Sequence, residues 1–383
     1  MYKGKAKYLE ELTSQLKFRS VDVSTNLEGS TPPSVFVGRA GYPKVFIGPM
    51  MSLEKESSFL DLPEEWLTAN KTNEEIVNLR MQLVRGKQLA NIKQQDSFVE
   101  KMQAIALAKN TVEIEARFKS KPKGRFFHEE MQPFGPSAEL KTFHAGNSKF
   151  NPYLEKAYYD NDLKASDAVI LLNKKGLLIS QLQKALSTGA FGIKRQRKLV
   201  PTRWSITAVD TIVADNLLKE VKYNPIIDNF KVYEHFSMQN RFEILLMPST
   251  WQFEVIESFI HVLGTEQLMF SDYETHFKKK EYALIGGGYY AARLAIAEFL
   301  SKCKKQASIV IFREAYPGYI PLGVWNVREN TRKALNSNAK EFDNLDSALK
   351  YIGTKMYIPL SKWINKSKVL KNYKCQKTLH DFL

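Results

Sequence analysis

The chain has 383 residues, 44% of them hydrophobic and 12% aromatic, which is enough apolar surface to bury a core and too much for a disordered polymer. Lys and Arg outnumber Asp and Glu by 56 to 41, a formal net charge of +15 that points to a polyanionic partner, nucleic acid or an anionic membrane surface. Only Cys303 and Cys375 occur, far apart and outside any C-x-x-C spacing, which excludes a disulfide framework and a cysteine zinc site.

The length allows two or three domains. No apolar run approaches bilayer length, and the charged start Met1-Tyr2-Lys3-Gly4-Lys5 has no apolar signal segment. The expectation is a soluble, cytoplasmic protein with no membrane partner. Residues 1–20 read as a short basic segment open to helix formation. Val35-Phe36-Val37 and Val45-Phe46-Ile47 flank a Gly/Pro turn, as in a hairpin or two sheet strands. Leu62-Pro63-Glu64-Glu65 before Trp66 is a helix-entry or loop signature. Apolar positions from Asn73 to Ala108 recur at helical spacing, and residues 112–116 alternate like a strand. Residues 119–165, rich in Pro, Gly and Lys, read as a long surface excursion or domain link.

From Ala168 to Val209 the chain carries eight Lys or Arg and no Asp or Glu. Ser180 to Ala190 reads as a helix with Ser180 and Gln183 spaced as a capping box. Lys194, Arg195, Arg197 and Lys198 follow it, and Pro201 is expected to hold Arg203 and Trp204 on a loop before the next helix. The cations can neutralise phosphates and Trp204 can stack on an exposed base; the alternative is a solvated basic face with Trp204 in the core. Lys198 with Asp210 supplies an amine and a carboxylate, the pair needed for Schiff-base attack on a sugar and departure of a base. The alternative roles are a phosphate contact for Lys198 and a helix cap for Asp210.

Residues 231–236 and 241–247 read as strands, Pro248 to Leu263 as a turn and helix, and 307–314 as a core strand. Gly286-Gly287-Gly288 opens a helix as an anion-binding N-terminus does, or else permits close helix packing by Tyr289 and Tyr290. It matches neither G-x-G-x-x-G nor a Walker A loop, so no nucleotide cofactor is expected. Residues 319–328 read as a turn and strand leading to a helix near Lys333. The six histidines are dispersed, without H-E-x-x-H, and no G-x-S-x-G occurs, so no metal is expected.

The chain ends on Gln376-Lys377-Thr378-Leu379-His380-Asp381-Phe382-Leu383. This fits Q-x-x-h-x-x-a-a, the peptide that docks on the DNA sliding clamp, PCNA; the alternative is a frayed C-terminal tail. Leu379, Phe382 and Leu383 share one face of a helical turn and Gln376 reaches the rim of the receiving pocket.

These motifs together resemble the archaeal Nre family of DNA-repair proteins. The resemblance runs through residues 32–49, Val200 to Asp210, Gly287-Gly288-Tyr289-Tyr290-Ala291-Ala292-Arg293, Pro321 to Arg328 and the final peptide. It implies DNA repair linked to the clamp and, from some members, excision of oxidised guanine. Many relatives begin with a cysteine-rich segment that this chain lacks. The resulting expectation is a mixed α/β (α+β) protein of two parts with a flexible C-terminal peptide, divided at 1–165, 166–360 and 361–383. Its DNA-facing residues would be Lys194, Arg195, Arg197, Arg203, Trp204, Gly287, Gly288, Tyr289, Tyr290, Arg293, Trp325 and Arg328. A DNA glycosylase with lyase activity, acting at the nucleoid through Lys198 and Asp210, is one reading. A non-catalytic adaptor that recruits other repair enzymes to the clamp is its rival, and an RNA-associated protein a third.

Overall fold

The computed structural model describes residues 18–128, 130–262 and 267–375. The fold is mixed α/β. Among the described residues, one compact unit comprises residues 18–213 with Pro321–Gly323, and the other Ala214–Ile320 with residues 324–375. Composition suggests boundaries near 165 and 360, whereas the units divide at Val213, because residues 119–165 and 166–213 pack into the same unit.

The N-terminal unit is built on strands β1 (Asn26–Thr31), β2 (Val35–Val37), β3 (Lys44–Met51), β4 (Val84–Asn91), β5 (Val112–Phe118) and β6 (Ser137–Ala145). They form a sheet of order β1-β5-β6-β4-β3-β2, antiparallel except for the β4–β6 pair. The alternation of β5 sets its register: Val112, Ile114, Ala116 and Phe118 point inward while Glu113, Glu115 and Arg117 face water. The β2–β3 hairpin pairs Val37 with Ile47. Helices α1 (Pro63–Trp66), α2 (Asn73–Met81), α3 (Ser97–Leu107), α4 (Pro152–Tyr159), α5 (Ala165–Lys174) and α6 (Ile179–Ser187) surround the sheet, and α7 (Thr202–Val221) follows. Val35, Val37, Val45 and Ile47 share a core with Phe98, Val99 and Met102 of α3. Phe36 and Met50, one residue out of phase, face the opposite side and pack with Leu60, Leu83, Met131 and Phe134.

Helical spacing over 73–108 is interrupted by a strand. Thr72 and Glu75 form a reciprocal capping box that starts α2, but the chain then extends into β4. Gly48 allows the strand to slot in: the backbone carbonyl of Gly86 lies against it, where any Cβ would be 1.8 Å from that oxygen. The expected excursion 119–165 likewise contains β6 and α4, folded back by bridges between Phe126 and Phe134 and between Lys123 and Ser137. In α6 the N-cap is Leu178, whose N–H is accepted by Gln181, while Ser180 donates from its N–H and hydroxyl to Glu64.

In the C-terminal unit, β7 (Phe230–Ser237), β8 (Asn240–Met247), β9 (Gln252–Ile260), β10 (Gln267–Glu274), β11 (Ser308–Ala315) and β12 (Lys340–Phe342) make a second sheet, order β10-β9-β11-β8-β7-β12. The β9–β11 pair is parallel. The helix expected from Trp251 is strand β9, buried along its whole length between two partner strands. Helices α8 (Gly287–Cys303), α9 (Trp325–Leu335), α10 (Leu345–Lys355), α11 (Leu360–Lys366) and α12 (Lys368–Cys375) complete the unit. The strand expected across Val324 to Arg328 is the opening of α9, which the turn at Gly323, φ +94°, precedes. Two buried carboxylates fasten the C-terminal helices to adjacent strands. Glu254 of β9 accepts from the N–H groups of Lys368 and Val369 at 2.9 and 3.0 Å and from the Ser367 hydroxyl, satisfying the start of α12. Glu314 of β11 accepts from the N–H groups of Tyr357 and Ile358. No helix among the described residues is long and apolar enough to cross a membrane.

A third buried carboxylate is less well served. Glu243 of β8 stands opposite Glu234 of β7, and its Oε2 has no hydrogen-bond partner among the described residues. Burial pushes its pKa up to about 7 from 4.5, with Arg241 at 3.2 Å opposing the shift. The raised value means the folded protein holds this proton longer than the unfolded chain. Its contribution is fully present below pH 4.5 and is lost as pH rises through 7. Glu243→Gln should therefore flatten the fall in unfolding free energy between pH 4.5 and 7 and leave the variant more stable at pH 8, by on the order of 3 kcal/mol. Parallel pH profiles for the two proteins in urea titrations would refute this.

Candidate nucleic-acid interface

Residues at the start of α7 and at the tip of the β2–β3 hairpin meet in the N-terminal unit. Pro201 ends the incoming loop, and its carbonyl accepts from the N–H groups of Trp204 and Ser205, so Arg203 and Trp204 lie in the first helical turn and not on a loop. The Thr202 hydroxyl accepts from the Val37 N–H at 2.9 Å, which ties the helix start to the end of β2. That tie brings Trp204 against Tyr42, with ring centroids 5.1 Å apart and planes tilted by 53°. Both rings remain open to water, Trp204 at 45% and Tyr42 at 43%.

Cations surround this aromatic pair. Arg39 and Lys44 are exposed on the hairpin. Arg203 pairs with Glu130, and the Nδ1 of His128 accepts from the Glu130 N–H at 3.1 Å. Burial lowers the His128 pKa, Arg203 and Arg39 lower it further, and Glu130 opposes them, so the ring is neutral at neutral pH. His128 stacks on Phe126, which stacks on Phe134, and Phe36 meets both phenylalanines edge-on. Arg85 lies 4.3 Å above Phe36 and donates to the Phe46 carbonyl at 2.9 Å; burial brings its pKa down to about 9. Lys87 sits 5.7 Å from the Phe46 ring on the same face of the sheet. Exposed rings among cations can stack unpaired bases while phosphates are neutralised.

Beneath the start of α7 is a cavity of about 60 Å³, lined on its apolar side by Phe36, Met50, Met131 and Ile206. Its floor is Asp61, held by Arg80 at 2.7 Å and Lys184 at 2.8 Å. Burial acts to raise the Asp61 carboxyl, but Lys184 and Arg80 outweigh it and hold the group below its ordinary value. Gln132 lines one side, and its Oε1 is buried without a donor among the described residues. Gly323 backs this wall: a Cβ there would come within 2.9 Å of the Gln132 nitrogen.

The residues expected to bind or react fall into distinct environments. Lys194, Arg195 and Lys198 are exposed. Arg197 faces inward, its guanidinium donating to the carbonyls of Gly192, Tyr158 and Asp160 at 2.6 to 2.8 Å, so it braces a loop instead of meeting phosphate. Asp210 is fully buried and accepts from Gln183 at 3.0 Å, which leaves no carboxylate surface for a nucleotide to share with Lys198. In the C-terminal unit, Arg293 is buried between Glu274 and Asp215, and Tyr289, Trp325 and Arg328 are buried as well. Gly287 is buried, Gly288 packs towards Val327, and the Tyr290 hydroxyl accepts from the Ala283 N–H, so the glycine-led helix start is a packing device. Gln376, Leu379, Phe382 and Leu383 lie outside the described residues. Among the described residues no three His, Cys, Asp or Glu side chains group to hold a metal ion. Sequence reasoning missed Tyr42, Arg39, His128 and Arg85. A signal existed for two of them: residues 29–53 contain no acid, and within them Arg39 and Lys44 flank an aromatic, Tyr42, at a turn.

Two family models cover most of the chain: "Archaeal Nre, N-terminal" matches residues 4–262 and "Archaeal Nre, C-terminal" residues 274–382. The chain is 36% identical over 371 residues to the DNA repair protein NreB of Archaeoglobus fulgidus, covering 95% of this chain and 93% of that protein. It is 37% identical to NreA of the same organism, over 86% and 85% of the two chains. To NreA of Haloferax volcanii it is 28% identical, over 91% and 87%. No solved structure matches.

Asp61→Asn should cost about 3–5 kcal/mol, because it leaves the buried Arg80 and Lys184 without their counter-charge. Urea unfolding at pH 7 measures this; a drop under about 1 kcal/mol would mean that the cluster does not organise the unit.

Proposed function

The chain belongs to the archaeal Nre family, and on that premise we propose that it is a DNA-repair protein that grips DNA with the Tyr42–Trp204 surface of its N-terminal unit. The names of three relatives supply the process, DNA repair. The observation that carries DNA binding is the pair of half-exposed rings, 5.1 Å apart, set among Arg39, Lys44 and Arg203. Such a surface suits single-stranded or locally opened DNA, since stacking needs an unpaired base. Lys194 and Arg195, exposed on the short 3-10 turn Lys194–Gln196 that precedes α7, extend the path for phosphates.

Recruitment by the sliding clamp through Gln376, Leu379, Phe382 and Leu383 belongs to the same reading and is supported by the sequence pattern alone. Base excision is its narrower form, with the exposed Lys198 as the amine and without Asp210, which is buried. Borohydride trapping on lesion-bearing duplexes separates that enzyme from a non-catalytic adaptor: an adduct that disappears in Lys198→Gln supports excision, and no adduct with any lesion supports the adaptor.

Tyr42→Ala and Trp204→Ala should each weaken single-stranded DNA by about 1–3 kcal/mol and intact duplex by less. Equal effects on both would count against stacking. Replacing Lys194 and Arg195 by Ala should flatten the slope of log affinity against log salt by about one unit for each phosphate no longer neutralised, whereas Arg197→Ala should lower stability and leave that slope alone. A reversed pattern would move the phosphate path. Removing residues 376–383 should abolish clamp binding with the DNA affinity kept, and undiminished clamp binding would end that part of the reading.

A further inference from the structure

We propose that a single strand of DNA lies across the outer face of β3 and β4, with Phe46 and Leu89 as a platform for its bases and Lys44 and Lys87 on its phosphates. The inference rests on the DNA-binding reading and extends it from the Tyr42–Trp204 pair to a path. Its starting point is that the N-terminal sheet closes on itself. β1 and β2, at the two ends of the strand order, are successive lengths of one run of chain, parted only by Pro32-Pro33-Ser34. Ser30 of β1 and Ser52, the residue after β3, exchange N–H to carbonyl bonds at 2.9 and 2.7 Å. The Met50 N–H donates to the Ser34 carbonyl at 3.1 Å and continues the seam. Inside, each of the six strands adds to one core, through Leu27, Val37, Ile47, Ala90, Ile114 and Leu140 in turn, and α3 enters the same core.

With β1 and β2 counted as one bent strand, this is a barrel of five. The first strand pairs with the second, β3, and the fourth, β5; the third, β4, runs parallel to the fifth, β6; and α3 falls between the third and fourth. That connectivity is the OB-fold, in which oligonucleotides or oligosaccharides lie over the second and third strands, between the first and last of the hairpin loops. The topology names a place, and the residues there name the ligand. Lys44 and Phe46 alternate with the core residues Val45 and Ile47, and Leu89 stands directly opposite Phe46. Leu89 is 52% exposed, and Lys87 lies 5.7 Å from the Phe46 ring. Cations also stand at both rims: Arg39 beside Tyr42 in the first loop, and Lys123 and Arg125 between β5 and β6. Arg39 acts electrostatically on His128 of that second loop, so the two rims face one path. Glu139 of β6, opposite Lys87 and paired with Lys119, sets its far limit. An apolar and aromatic strip between cations suits exposed bases on a phosphate backbone, and it selects that polyanion over an uncharged sugar chain. A duplex offers Phe46 and Leu89 no base faces.

The test is fluorescence anisotropy of the full chain with labelled oligothymidines of increasing length. Affinity should climb with length and level off within about 4–16 nucleotides, the span of one such barrel. Lys87→Gln should flatten the slope of log affinity against log salt by about 0.7, one phosphate contact on a single strand. Leu89→Glu should weaken binding about tenfold with the unfolding midpoint unchanged, because the side chain it replaces is exposed. Arg117→Gln removes the same charge as Lys87→Gln from the outer face of β5, which pairs with neither β3 nor β4, and should leave affinity and slope as they are. Equal effects of Arg117→Gln and Lys87→Gln would reduce the contact to net charge and overturn the path. Affinity unaltered in Leu89→Glu, or a slope unaltered in Lys87→Gln, would overturn it too; Trp204→Ala still weakening binding would then leave the DNA-binding reading standing. No binding of any oligothymidine by the unmutated protein overturns the two readings together.

Discussion

One buried carboxylate organises the N-terminal unit. Asp61 ends a short 3-10 turn, Ser58–Asp61, and binds Arg80 from α2 and Lys184 from α6. Arg80 also donates to the carbonyls of Leu60 and Pro133, so the same guanidinium fixes the strap that carries Met131, Gln132 and Phe134. Removing such charges from water costs several kcal/mol for each ion, and their attraction returns that only when the remaining donors and acceptors are met. The cluster is thus a weak source of net stability and a strong source of position. Turn, two helices and strap keep one arrangement because any other strands a charge. The cavity, the ring stack of His128, Phe126 and Phe134, and the ion pair of Arg203 with Glu130 all lie on what that arrangement holds in place.

The distribution of the two basic residue types follows the same logic. Arg80, Arg85, Arg293, Arg313 and Arg328 are all buried, most of them against carboxylates or backbone carbonyls that a planar guanidinium can bridge. The surface of the N-terminal unit is left to lysines such as Lys44, Lys194 and Lys198 and to a few arginines, among them Arg39 and Arg195. A net charge of +15 therefore overstates how much arginine is available to phosphate.

That burial explains which parts of the site were legible. Cations beside aromatics look the same in sequence whether they face water or the core, so Arg293 with Tyr289, and Arg328 with Trp325, read as DNA-facing and turned out to be interior packing. The exposure of Lys194 and Arg195 was legible because a run without acids leaves cations no local partner. Tyr42 was not, since its neighbour Trp204 comes from the far end of the unit and meets it through long-range contacts such as the Val37–Thr202 hydrogen bond. Among the elements, local signals held for the alternation of β5 and the strands flanking Gly41, and failed for the capping box expected of Ser180 and Gln183, since α6 starts from Leu178. They failed as well for β4 and β9. Strand β9 is buried along its whole length and so has no period of two, while β4 carries Arg85, Lys87 and Gln88 in no clean alternation with its apolar residues.

The strand order of the C-terminal unit has a bearing on inheritance. The two matched family segments meet between residues 262 and 274, which would ordinarily suggest separable modules. Yet β11, from the second segment, lies between β8 and β9 of the first, bonded to one antiparallel and to the other in parallel. Neither segment can close this sheet alone, and a first segment made by itself would leave one edge of β8 and both edges of β9 unpaired, a template for aggregation. The segments have to be inherited as one gene, or as two whose products complement each other as they fold. A junction between family models here marks a seam in sequence that passes through the middle of a single folded body.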